Sequence, residues 1–111
     1  MARTFEAYQV ALELMTALRP VVEGLAKRNR SLADQVRRAA ASVPLNLAES
    51  NRRAGQDRIQ HFRIAAGSAA AVRAALQVAW AWGDAEPCPM AEALLDRLLA
   101  MLWRLTHPRR E

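Results

Sequence analysis

The side chains of this sequence that could do chemistry are few and poorly grouped. His61 and His107 stand far apart, with no obvious carboxylate or thiol partner. A lone helical histidine is more often a structural residue than a metal ligand. Ser42 and Ser68 have no histidine near them in sequence to take a proton. "GSAAAV", residues 67–72, lacks the lysine and preceding strand of a phosphate loop. Cys88, between Pro87 and Pro89, has no adjacent cation to stabilise a thiolate, and a single cysteine forms no internal disulfide. Trp80, Trp82 and Trp103 could stack on bases, although such rings more commonly pack in cores and interfaces. The expectation is a chain without enzymatic activity, bound metal or cofactor.

Arginine is the exception. The chain has sixteen basic side chains, all arginine except Lys27, against eleven acidic ones, and a net charge of +5. The planar guanidinium fork suits phosphate and carboxylate, although arginine also rises with alanine in some proteomes. From Lys27 to Arg63 there are nine cations and three anions, a net of +6 that exceeds the charge of the whole chain. Two readings fit this concentration. One is a solvated or intersubunit salt-bridged face. The other is a surface for RNA or DNA built from Arg37, Arg38, Arg52, Arg53, Arg58 and Arg63.

The elements that must position these residues are helical. Apolar residues supply 52% of the chain and aromatic ones only 5%. Phe5, Tyr8, Leu12, Met15, Leu18, Val22 and Leu25 recur at steps of three and four and predict a helix over 4–27, with Thr4 as its cap and Pro20 either kinking it or ending its first part. Ser31 and Asp34 read as the start of a helix over 32–53, and Gly55 as its stop. A third helix is expected over 56–82, where Gly67 and its small neighbours permit close approach of another backbone. "GDAEPCP" is a loop, and a fourth helix spans 90–106. Four such helices in one domain, 1–111, make an all-α, antiparallel up-down four-helix bundle.

The last helix has a second apolar row. Leu94, Leu98, Met101 and Leu105 form one stripe; Leu95, Leu99 and Leu102 form another, with Trp103 beside it. One core needs one stripe. Leu95, Leu99, Leu102 and Trp103 are therefore the expected interface of a homo-oligomer. No secretory signal is visible, and the uncharged runs are shorter than the roughly 20 residues that cross a bilayer, so a cytoplasmic protein without membrane partners is expected.

"RRAAASVPLNLAESNRR", residues 37–53, puts a proline inside a helix. Pro44 deprives the Ala40 carbonyl of its partner, so the helix is expected to kink there, with Ser42 and Asn46 bonding the freed backbone groups. Glu49 precedes Arg52 and Arg53 by three and four positions, the favoured order for helical ion pairs.

This stretch resembles a family motif. Gln35, Val36, Arg37, Arg38, Ala39, Ala40, Ser42, Val43, Pro44, Asn46, Leu47, Ala48 and Glu49 match the core pattern of small bacterial proteins encoded in intervening sequences of 23S rRNA genes. Phe62, Ala66, Gly67 and Ser68 match a second block, and "TFEAYQVALEL" is similar to the family's first helix. The departures are Ser50, where the family usually has glycine, and Pro20, which comes early. The resemblance implies a four-helix bundle assembled as a homopentameric ring and kinship to accessory proteins of diversity-generating retroelements, which bind nucleic acid and a reverse transcriptase. It attaches no catalytic residues. Pro44, Asn46, Glu49, Gly67 and Ser68 are the motif positions expected to shape the helix. A protein-interaction scaffold with a protein partner and no nucleic-acid role is the competing function.

Overall fold

A computed structural model describes residues 2–108 and shows four helices: α1 (Ala2–Arg28), α2 (Arg30–Ser50), α3 (Gly55–Trp82) and α4 (Pro89–Thr106). No strand occurs among the described residues. α1 packs on α2, α2 on α3, α3 on α4 and α4 on α1, so the helices enclose one core. Val10, Leu14, Leu18 and Leu25 enter it from α1, Val36, Val43 and Leu47 from α2, Val72 and Leu76 from α3, and Leu98 and Leu102 from α4. The apolar spacing of three and four places these residues on the inward faces.

The helix ends depart from the sequence expectation in several places. Thr4 is not a cap: it lies inside α1 and is buried. Asn29, not Ser31, caps α2, its Oδ1 accepting from the Leu32 N–H at 3.1 Å. One residue thus separates α1 from α2, and Ser31 is exposed within the helix. Both internal prolines lie inside helices as expected, α1 continuing through Pro20 and α2 through Pro44. α2 ends at Ser50, and Asn51, Arg52 and Arg53 tighten the exit by donating to the carbonyls three residues back. Gly55, at φ +60°, opens α3. At the other end of α3, Gly83 is left-handed at φ 75°. Its N–H reaches the Trp80 carbonyl and that of Asp84 the Ala79 carbonyl, which is a Schellman closure. Pro89 occupies the first turn of α4, where its missing N–H costs nothing.

α3 also differs from the expectation about bilayer-length segments. Its 28 residues include a window of mean hydropathy 1.3, enough by length and composition to cross a membrane. In the protomer, Phe62, Ala65, Ala69, Val72, Ala75, Leu76 and Ala79 of this helix face the core. Only 28% of the window is buried inside the protomer.

Candidate assembly and nucleic-acid interfaces

Three motif residues, Ser42, Asn46 and Ser68, meet His61 at the seam between α2 and α3. Asn46 Nδ2 donates to the Ser42 carbonyl at 2.9 Å and lies 3.1 Å from Ser42 Oγ. With its amide so oriented, Asn46 Oδ1 accepts from His61 Nδ1 at 2.9 Å. That assignment puts the neutral ring's proton on Nδ1. Ser68 Oγ donates to Ser42 Oγ at 2.7 Å. Four side chains thus tie two turns of α2 to two turns of α3. Each such bond adds about 0.5–1.5 kcal/mol net, and considerably more is lost if one partner is removed.

This corrects the expected role of Ser42 and Asn46. Neither bonds the Ala40 carbonyl that Pro44 leaves unpaired; their bonds run to Ser42 itself and across to α3. Pro44 is buried, with its ring on the protein side of α2. His61, read from sequence as a residue without obvious partners, is held by an amide that only the fold brings near. It bonds neither Ser42 nor Ser68 directly, so the cluster holds no paired serine and base. Among the described residues no three histidine, cysteine or acidic side chains sit together as a metal site would need.

The arginines separate into groups. Arg53 lies between two carboxylates, 3.4 Å from Glu49 Oε2 and 3.1 Å from Asp57 Oδ2. Glu49 therefore pairs with Arg53, as the spacing suggested. Arg53 is therefore less available for a phosphate than an exposed arginine without an ion pair. Arg58 is half-buried, its guanidinium 5.7 Å from the centroid of the Phe62 ring. Arg37, Arg38, Arg52 and Arg63 are exposed and form no ion pair with a described residue. Arg37 and Arg38 point about 100° apart around α2. Arg37 lines a groove of about 630 Å³ against α1, with Leu12, Met15, Arg19 and Glu23 among its walls. Arg38 lies on the arc of α2 that carries Ser42 and Asn46. The expectation that both arginine pairs share one continuous helix is corrected, because Arg52 and Arg53 lie beyond its end.

The apolar surplus is on a different helix from the one the sequence indicated. Leu95 and Leu102, expected at a subunit interface, are 2% and 0% exposed in the protomer core. Leu99 is half-buried against that core, as are Leu94, Met101 and Leu105. Leu95, Leu98 and Leu102 are thus covered by the chain's own helices, and the rest of the two rows is partly covered. Only Trp103 of the expected set faces out, stacked on His107 with ring centroids 4.2 Å apart.

α3 instead presents Ile64, Gly67, Ala71, Ala74, Val78 and Trp82, all exposed and within an arc of about 80° over about 27 Å. From Ile64 to Trp82 no exposed residue of α3 carries a charge; the one arginine there, Arg73, is half-buried and ion-paired with Asp96 of α4. Leu45 of α2 is also largely exposed. A Cβ added at Gly67 meets nothing within 4 Å. The close backbone approach expected at Gly67 is therefore absent inside the protomer, and the residue lies open on the outer face. Alanine and glycine do not register as a hydrophobic stripe, which is why this face escapes a reading of apolar spacing.

Four helices around one alanine- and leucine-rich core, with short connections and a buried proline in the second helix, define a small all-α bundle protein. Over residues 3–102 the chain matches the 23S rRNA-intervening sequence protein family and belongs to it. No curated protein matches the chain.

Proposed function

We propose that this chain is a non-enzymatic, cytoplasmic bundle protein that assembles with copies of itself and binds RNA or another nucleic acid through exposed arginines. Its helices follow an antiparallel up-down path, with α2 bent at Pro44. The uncharged outer face of α3 supports self-association, because monomeric proteins rarely leave an apolar strip of that length open to water. A ring of five is the assembly that the motif resemblance implies. Copies of the chain, rather than lipid, cover α3.

The observation that carries the nucleic-acid reading is the set Arg37, Arg38, Arg52 and Arg63, exposed without ion pairs among the described residues. Five copies of the +5 chain total about +25, a strong attraction for polyanions. The test is affinity for single-stranded RNA across a salt series. If each of the four arginines meets one phosphate, their joint change to glutamine flattens the logarithmic salt slope by about 3. An unchanged affinity and slope rejects the reading. A protein partner captured by the α3 face, with no RNA affinity, supports the scaffold function instead.

A further inference from the structure

The protomer leaves two apolar faces open, and they lie on different sides of the bundle. One is the uncharged outer strip of α3 from Ile64 to Trp82. The other runs along α1 beside α2. Phe5 and Leu12, both exposed, are seven residues apart and point within about 20° of each other. Leu12, Met15 and Ala41 then wall the groove of about 630 Å³ between α1 and α2, above the buried Leu18, Val22, Val36 and Ala40. α1 and α3 each pack on α2 and α4, so they stand at opposite corners. The strip of one copy therefore does not reach the groove of the same copy.

The two faces match in length and in relief. Phe5 to Glu23 and Ile64 to Trp82 are both eighteen positions, about 27 Å of helix. The low part of the α3 strip, Gly67, Ala70, Ala71 and Ala74, is near its middle, with Ile64 and Val78 rising on either side. Leu12 and Met15 rise near the middle of the α1 face. Small side chains let helix axes approach to about 8 Å, and the large ones opposite fill the space left. An apolar helix face seated in a groove between two helices is a recurring mode of recognition. The charges agree with it. The strip brings no counter-charge of its own, and the groove needs little, because Glu23 stands there with Arg19 and Arg37. Contact between two α3 strips, the symmetric alternative, would leave Phe5, Leu12 and the groove open to water.

From this geometry we infer that the α3 strip of one copy of the chain docks in the α1–α2 groove of a second copy. The inference rests on the self-association reading and names its two surfaces. Because the surfaces differ, the contact is head-to-tail, and every copy in a closed assembly uses both.

The experiment blocks one surface at a time. Thr16 is exposed in the groove, and its hydroxyl bonds back to the Leu12 carbonyl at 3.1 Å. Thr16→Trp therefore fills the groove and spares the core. Gly67→Leu places its side chain where the protomer is open, in a helix that gains from losing a glycine, and raises the low part of the strip. Both variants are expected to keep their helix content by circular dichroism and to sediment as single chains where the parent is assembled. Mixed in equal amounts they are expected to pair, at twice the 12.3 kDa of one chain. The intact strip of the Thr16→Trp chain then meets the intact groove of the Gly67→Leu chain. Val78→Glu mixed with Val78→Lys is expected to stay single, because the two positions do not face each other. Either blocked variant keeping the parental mass, or their mixture staying single, overturns the inference. So does assembly restored by the glutamate–lysine mixture, which would set strip against strip. In each of these cases the self-association reading survives as long as the parent is assembled. A parent that sediments as a single chain removes that reading and the inference together.

Discussion

Val78→Glu separates folding from assembly in this protein. Val78 is 44% exposed in the middle of the uncharged α3 face. In the protomer the change is mild. An exposed helical position tolerates substitution within about 0.5 kcal/mol, and glutamate is the better helix former. In an assembly that covers α3 the same change acts twice. Covering the exposed part of a valine contributes about 1 kcal/mol, taken as just under half of full burial. Enclosing an unpaired carboxylate costs several kcal/mol more, even after relaxation. Each contact should therefore weaken by about 4 kcal/mol, on the order of a thousandfold in dissociation constant. Light scattering reads the mass: about 62 kDa for a ring of five 12.3 kDa chains, falling to a single chain in the variant. Circular dichroism on the same sample should show undiminished helix. A variant that keeps the parental mass refutes the assignment of α3 as the buried face, and a single-chain mass for the parent refutes assembly itself.

Leu102→Ala should cost about 2–5 kcal/mol in urea unfolding, because its fully covered side chain leaves a cavity, and association measured where the chain is folded should not change. Asn46→Ala should lose about 1–3 kcal/mol in the same assay and strip His61 Nδ1 of its acceptor, which nitrogen NMR detects as a redistribution of the ring tautomers. Gly83→Ala forces a side chain into the left-handed region and should cost about 1–2 kcal/mol in thermal unfolding, although the space around the position is open. Arg53→Gln should alter RNA affinity less than Arg52→Gln, since Arg53 already faces two carboxylates; the reverse order would show that those pairs dissolve on binding.

The helices were legible because their apolar residues recur every three or four positions, a signal that survives without knowledge of partners. Their ends were less so. Asn29 sits in "KRNR", a run that looks like a polar break, and only the one-residue turn makes it the cap of α2. The α4 leucines show a different limit. A helical wheel reports how wide an apolar arc is and not which neighbours cover it. α1 and α3 flank α4 on two sides, and together they bury residues from both rows, Leu98 from one and Leu95 and Leu102 from the other. On α3 the error ran the other way, since an exposed strip of alanine and glycine is too small in side chain to look like a face.

The motif around Pro44 explains why these features occur in one molecule. Asn46 and Ser42 are bonded to His61 and Ser68, which fixes how α2 and α3 are rotated and how far one is slid along the other. A helix turns about 100° per residue, so shifting that register by one position would carry Ile64, Val78 and Trp82 around toward a neighbouring helix and bring core residues to the surface. The same register puts Arg38 over the seam and Arg37 toward α1. Pro44 contributes from the inner side of α2, where its buried ring occupies the core without demanding a backbone partner for its own nitrogen. A polar seam of this kind stabilises little more than an apolar one would. What it adds is selectivity among rotations of two alanine-rich helices whose small side chains interlock weakly, and so it decides which face of α3 is left outside.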